Sequence, residues 1–292
     1  MELKYKNCKY NTLRQVLVQE FGLSSRLITK LKKNNSILLN NKSTYLDQNL
    51  KINDLITVNI DFDEDNSNIV PTKMDLKILF EDSYMLIIDK PAGIPVHPSM
   101  EHYKDSLSNG VKYYFDIIDL HRKIRIVNRL DRNTSGIVIF AKNEYIQECL
   151  IKQMQKEVFQ KKYIAFCEGI FDNTSGIINA SIARKEKSII ERCVNSNGQE
   201  AITKFKVLGT KDNISKIEIE LLTGRTHQIR VHMAYIGHPI IGDTLYGNSS
   251  NLINRQALHA YKVRFKHPIT NKEIIITSPL PTDFNIFDKV NN

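Results

Sequence analysis

The sequence predicts a strand-rich fold that also carries several helices. Three patterns carry that reading. Between residues 124 and 142 an apolar, β-branched run, Ile126-Val127, enters a polar knot at 128–136, and a second apolar run, Ile137-Val138-Ile139-Phe140, leaves it. Ile217, Ile219 and Leu221 alternate with Lys216, Glu218 and Glu220, the period-two mark of a strand with one buried and one wet face. Leu13, Val16, Leu17 and Phe21 recur instead at helical spacing.

Taken in order, residues 11–33 read as two short helices, with Gly22 stopping the first and Ser24 capping the second. In the second helix Leu27, Ile28 and Leu31 face inward, while Arg26, Lys30 and Lys33 form a basic stripe on another face. Short strand-like runs follow at 37–39, 44–46 and 56–60. Residues 61–72, DFDEDNSNIVPT, are polar and acidic and read as a linker. Strands are expected at 76–80 and 85–88, leading into a loop stiffened by Pro91, Gly93, Pro95 and Pro98. Residues 101–123 suggest a surface helix; Ile146, Leu150 and Met154 mark an amphipathic one. A strand over Tyr163–Cys167 stops at Gly169, 177–222 is rich in strands, and Thr223-Gly224-Arg225-Thr226 turns into a helix that Gly237 ends. The tail, 258–280, reads as strands around a turn at His267-Pro268.

Charge is unevenly spread. The chain of 292 residues has a net charge of +9; residues 1–60 hold ten Lys or Arg against four Asp or Glu, and 61–72 hold four acids and no base. Two basic blocks around an acidic stretch fit two nucleic-acid-facing domains, although a basic surface suits many soluble proteins equally well. No apolar run approaches the roughly 20 residues of a membrane helix, and the N-terminus lacks the apolar core of a secretory signal. A cytoplasmic protein with reduced thiols at Cys8, Cys149, Cys167 and Cys193 is expected, since none falls in a C-x-x-C spacing. His227 and His232 lack the spacing and the intervening Glu of H-E-x-x-H, so no metal is expected there.

The polar knot concentrates the chemistry. Asp131 stands between Arg129 and Arg132, and two guanidinium neighbours favour an ionised carboxylate. Such a group in a rigid loop suits a nucleophile or general base, but an Arg-Asp pair that merely braces a turn has the same spacing. His97 likewise reads as a ligand-facing group or a loop cap, and Tyr163 as a strand aromatic.

NRLDRNTSG at 128–136 resembles the HRLDxxTSG motif of the RluA-type pseudouridine synthases. DKPAGIPVHPS at 89–99 is similar to that family's first motif and TGRTHQIRVHMAYIGHPIIGDTLYG at 223–247 to its last, in the family's order. Asn128 stands where the family usually has His. The helix-helix-strand pattern of residues 10–60 resembles the S4-like RNA-binding domain that often precedes the catalytic domain, with Asn34 and Asn35 near where a Gly is common.

The resemblance implies an α+β fold: a mixed, mostly antiparallel central sheet with flanking helices at 73–285, the linker at 61–72, and a small S4-like α/β domain at 1–60. It implies an RNA pseudouridine synthase, an isomerase that breaks the N1–C1′ bond of uridine, turns the base and joins C5 to C1′. Asp131, Tyr163 and Arg230 are then the catalytic set, with Asp131 acting at C1′, Tyr163 packing on the uracil and Arg230 aiming Asp131. Arg129 would fill the space of the flipped base, Ile229 would line the pocket, and Arg26, Lys30 and Lys33 would grip phosphates. The implied partner is large-subunit ribosomal RNA, with transfer RNA as the alternative; a monomer without cofactor is expected. A non-catalytic RNA-binding or ribosome-assembly protein would use the basic blocks equally well but has no need of the Asp131, Tyr163 and Arg230 set. A hydrolase built on Ser135 is disfavoured because no G-x-S-x-G surrounds it.

Overall fold

The structure is a computed structural model that describes residues 1–156 and 158–285. Residues 1–60 form a four-stranded sheet flanked by helical turns. Its elements are β1 (Glu2–Lys6), α1 (Leu13–Gln15), α2 (Ser25–Lys33), β2 (Ile37–Leu39), β3 (Lys42–Ser43) and β4 (Leu55–Asn59), with sheet order β1-β4-β2-β3. Thr12 caps α1 in a reciprocal pair with Gln15, and Ser24 caps α2 by accepting from the Leu27 amide at 3.2 Å. The first predicted helix runs only to Gln15 as α-helix and continues as a wider π-type turn over Val16–Glu20. The strand expected at 44–46 lies two residues earlier, as β3. Asn40 and Asn41 both take positive φ and make the tight turn from β2, a conformation Asn tolerates better than most side chains.

The rest of the chain is built on a ten-stranded sheet. Its elements follow in order: β5 (Ile78–Glu81), β6 (Met85–Lys90), α3 (Leu107–Ile117), β7 (Arg125–Ile126), β8 (Ser135–Ala141), α4 (Glu144–Gln155), β9 (Gln160–Glu168), β10 (Ser175–Asn179), β11 (Ile182–Arg184), β12 (Arg192–Val194), β13 (Ile202–Lys211), β14 (Ile214–Leu221), α5 (Gln228–Tyr235), β15 (Leu258–Lys266) and β16 (Glu273–Thr277). The strand order is β10-β13-β14-β9-β15-β8-β6-β5, with β16 on β15 and β7 on β8; β11 and β12 form a separate hairpin. The strands pair antiparallel except for β8 with β15, so the sheet is mixed and mostly antiparallel. At that parallel seam Gly136 has φ +113, and a Cβ added there would sit 2.2 Å from the Ala260 carbonyl oxygen, so no side chain fits.

The predicted surface helix at 101–123 is α3, and it is not wholly superficial. Leu107, Val111 and Phe115 recur every four residues and are buried in the main core.

A second apolar cluster joins Leu13, Leu27 and Ile56 of the N-terminal unit to Met85, Ile137 and Ile146 of the large sheet and α4. The acidic stretch at 61–72 runs along this junction and is fastened to it. Glu64 accepts from Lys30 Nζ at 2.6 Å and from Arg125 Nη2 at 2.7 Å, Asp61 pairs with Arg122, and the Val70 carbonyl accepts from Asn109 at 2.8 Å. Ser24 Oγ donates to Glu148 of α4 at 2.5 Å and adds a further tie. None of the described helices is long and apolar enough to cross a membrane.

Candidate active site

The loop between β7 and β8, residues 127–134, lies beside the centre of the large sheet and is pinned at almost every residue. At its start Asn128 extends the strand pairing with its side chain: Nδ2 donates to the Ile137 carbonyl and Oδ1 accepts from the Ile139 amide, both at 2.9 Å. The amide of Asn supplies one donor and one acceptor in a fixed plane, which is what two adjacent backbone groups require. Asn128 lines the cleft, and its side-chain amide braces the loop against β8. Further along, the Arg132 carbonyl accepts from Lys90 Nζ at 2.9 Å and from the Gly93 amide at 2.9 Å. The Asn133 carbonyl accepts from Arg255 at 3.1 Å, and Thr134 Oγ1 accepts from Gln256 at 3.1 Å.

Lys90 joins two of the sequence motifs. Its fully buried ammonium donates to the carbonyls of Pro91, Ile94 and Arg132, using all three protons and tying the proline-rich loop to the Asp131 loop. Burial, with the nearby charge of Arg255, pushes its pKa down to about 7 against the opposing pull of Asp131.

Asp131 projects from this rigid frame into a cleft of about 930 Å³ with its side chain 27 % exposed. The expected pairing with its neighbours in sequence is replaced by a tertiary one. Arg132 turns away and donates from Nε to the Gly93 carbonyl at 3.0 Å, and Arg129 stands exposed on the cleft wall. The partner of Asp131 is Arg230, 99 residues later, whose Nη1 donates to Oδ2 at 3.1 Å. Arg230 is itself held by Asp243, 1 % exposed, through Nε at 2.7 Å and Nη2 at 2.8 Å, a two-pronged grip that fixes the plane of the guanidinium. The ring of Tyr246 lies 5.1 Å from the guanidinium carbon. Burial works against the Arg230 cation, but Asp243 and Asp131 more than offset it and raise its pKa.

Tyr163 of β9 and Ile229 of α5, both buried, line the same cleft. Burial, reinforced by the charge of Asp131, pushes the Tyr163 phenol well above its ordinary pKa, so it stays protonated. His97 also lines the cleft, its pKa lowered by burial and then by Arg129. His227 lies at the N-terminal end of α5 with Nε2 3.9 Å from Asp131 Oδ1; His232, one turn on, faces the other way, to Thr203 and the Ala180 carbonyl.

The structure thus brings Asp131, Tyr163, Arg230, Arg129 and Ile229 to one cleft. It does not bring the basic stripe of α2 there. Lys30 is committed to Glu64 and, at 2.9 Å, to Glu144; Arg26 approaches Glu144 at 3.9 Å but remains largely exposed, and Lys33 is exposed. Sequence reasoning missed Lys90, Asp243 and Tyr246, although all three lie within the motifs quoted above. An acid 13 residues after Arg230 gives no local sign that it returns to grip it.

A family model described as RNA pseudouridylate synthase matches residues 84–235. The chain is 40% identical over 273 residues to the "Uncharacterized RNA pseudouridine synthase YhcT" of Bacillus subtilis (strain 168), covering 93% of this chain and 90% of that one. It is 35% identical to the "Ribosomal large subunit pseudouridine synthase D" of Pasteurella multocida (strain Pm70), covering 78% of this chain and 74% of that one. Among solved structures, "Human RNA Pseudouridylate Synthase Domain Containing 1" matches with a TM-score of 0.59 and 25% identity, over 73% of this chain and 86% of that one. These matches place the chain in the RluA-type RNA pseudouridine synthase family, isomerases acting on RNA.

Proposed function

We propose that the chain converts specific uridines of large-subunit ribosomal RNA to pseudouridine, with Asp131 acting at C1′ of the target nucleotide. The observation that carries this reading is the half-exposed carboxylate of Asp131, set in a pinned loop and aimed by the Arg230–Asp243 pair into a cleft walled by Tyr163 and Ile229. The ribosomal assignment draws on the named function of the Pasteurella multocida relative.

The target base lies stacked in RNA and must be flipped out, at roughly a few kcal/mol. Arg129, exposed at the cleft wall, is placed to occupy the vacated space. Asp131 assists departure of N1 from C1′ as a carboxylate does in glycoside chemistry. The uracil turns within the cleft, C5 bonds to C1′, the proton on C5 is lost, and N1 gains a proton. A protonated Tyr163 favours a role as the apolar wall against the uracil over a role as the base for C5.

Residues 1–60 we read as an S4-like RNA-binding unit, 61–72 as its connector and 73–285 as the catalytic domain. The run from α1 and α2 into β2, β3 and β4 supports this, although β1 precedes the helices, and Arg26 and Lys33 remain outward-facing cations for phosphate contact.

The test is pseudouridine mapping by carbodiimide labelling and primer extension on RNA from cells lacking the protein, complemented with wild type or with Asp131→Ala. The expected result is a ribosomal RNA stop that disappears on deletion, returns with wild type and stays absent with Asp131→Ala. A stop confined to transfer RNA would overturn the substrate, and one that returns with Asp131→Ala would overturn the role of Asp131.

A further inference from the structure

We propose that His227 is a positioning residue for Asp131: with its proton on Nε2 it holds the carboxylate's second oxygen, Oδ1, and Tyr246 fixes that tautomer. The inference rests on the reading of Asp131 as the group acting at C1′, and extends it to a residue of the third motif that has no role above.

Two contacts, one at each ring nitrogen, favour this tautomer. The backbone amide of Arg192, at the start of β12, donates to the Tyr246 hydroxyl oxygen at 2.8 Å. That hydroxyl has one proton of its own to give, and His227 Nδ1 lies 2.8 Å away. If Tyr246 gives that proton to Nδ1, the ring proton sits on Nε2. The other end of the ring selects the same form, because Nε2 faces the acceptor oxygen Oδ1 of Asp131 at 3.9 Å. A bare lone pair directed at a carboxylate would be repelled.

The charged and titratable groups around His227 come from four elements: Asp131 from the loop, Arg230 from α5, Asp243 and Tyr246 from the turn after it, and Arg192 from β12. Burial lowers the imidazole pKa, and Arg230 and Arg192 push the same way against Asp131 and Asp243, which keeps the ring neutral near pH 7. Its backbone points the same way. His227 sits at φ 57, a left-handed conformation that a residue other than glycine adopts only at a cost. That conformation turns the ring from the end of α5 toward Asp131.

Arg230 already holds Oδ2, so a hydrogen bond from His227 to Oδ1 stops the carboxylate rotating about its Cβ–Cγ bond. At 3.9 Å the two groups face one another beyond hydrogen-bond length, and the proposed role requires them to close by about 1 Å when the target nucleotide binds. No proton leaves the imidazole in this role.

Single-turnover rates on a ribosomal RNA fragment, with separately measured RNA affinity, test the proposal in the full chain. Asn accepts the left-handed backbone but is too short to reach Asp131, so His227→Asn is expected to slow the reaction roughly 10- to 100-fold with RNA affinity unchanged within about twofold. His227→Gln restores a donor of sufficient reach and is expected to recover most of that loss. Nitrogen-15 NMR of the wild-type imidazole is expected to show the neutral form protonated on Nε2, and Tyr246→Phe to give a mixture of tautomers. His227→Asn at wild-type speed, His227→Gln as slow as His227→Asn, or a wild-type ring protonated on Nδ1 would each overturn the proposal. Asp131→Asn in the same series separates the two readings. If it is active, the role of Asp131 fails; if it is inactive while His227→Asn is fast, only the role of His227 fails.

Discussion

Glu64 and Asp131 are both carboxylates held by arginine, and they differ in what is left over. Glu64, 4 % exposed, has Lys30 and Arg125 Nη2 on one oxygen and Arg125 Nη1 and the Lys123 amide on the other. Asp131, 27 % exposed, has one arginine on one oxygen, and its other oxygen stands 3.9 Å from an imidazole. Saturation turns a buried acid into a fastener, because every lone pair already has a donor and none remains for a substrate. An acid with one side open, kept in place by a rigid loop, retains the capacity to react. The same contrast holds within one arginine: Asp243 takes two of the Arg230 nitrogens and supports, while Asp131 takes the third and faces the cleft.

The sharpest way to break this contrast is Arg230→Met. It strands the nearly fully buried Asp243 and frees Asp131 together, so we expect a stability loss of about 3–5 kcal/mol and a fall in single-turnover rate of at least roughly a hundredfold. Urea unfolding and tritium release from 5-tritiated uridine in RNA measure the two. The double variant Arg230→Met with Asp243→Leu should regain much of the stability and none of the rate.

Asn128→Ala comes next. It leaves the Ile137 carbonyl and the Ile139 amide unpartnered behind the loop, for a loss of about 2–3 kcal/mol, with a rate reduction that follows from loosening Asp131. Asn128→His, restoring the residue usual in the family, should cost less than Asn128→Ala in the same denaturant titration.

The smallest catalytic effect belongs to Glu64→Gln. Burial alone would raise the pKa of Glu64, but Arg125 and Lys30 reverse this and hold it down to about 2 in the folded chain, against an ordinary value of 4.5. A depressed acid stabilises fully above its unfolded pKa and loses that contribution as pH falls. The wild type should therefore lose up to roughly 3 kcal/mol between pH 4.5 and 2 from this group. Glu64→Gln should flatten that part of the pH–stability curve and leave the single-turnover rate at neutral pH unchanged within about twofold. A flat wild-type curve would remove Glu64 as a fastener.

Much of the architecture was legible because it is written locally. The runs at 85–88 and 137–140 and the alternation at 217–221 are strands β6, β8 and β14, since a β-branched run flanked by turns has few other fates. The turn from β2 to β3 was misplaced because its asparagines adopt positive φ that no pattern of hydrophobicity reveals. In the site, local reading assigned Asp131 to its neighbours Arg129 and Arg132, while the pairing group was 99 residues away. Only the resemblance named Arg230. Likewise, Lys30 read as part of an open basic stripe because helical spacing shows which face a side chain is on, but not what docks against that face.

The parallel seam between β8 and β15 has a consequence for how the protein comes into being. Ser135 and Gly136 pair with His259 and Ala260, and Asn133 and Thr134 lean on Arg255 and Gln256. Half of the scaffold of the Asp131 loop is thus made about 120 residues after the loop itself. On a ribosome adding roughly 5–20 residues per second, that is a delay of about 6–24 seconds. Throughout it the nascent chain holds the Asp131 loop with only part of its frame, and contacts this distant along the chain form slowly. An RNA-modifying enzyme born among ribosomal RNA therefore completes the frame of this loop only after residues 255–260 have been made.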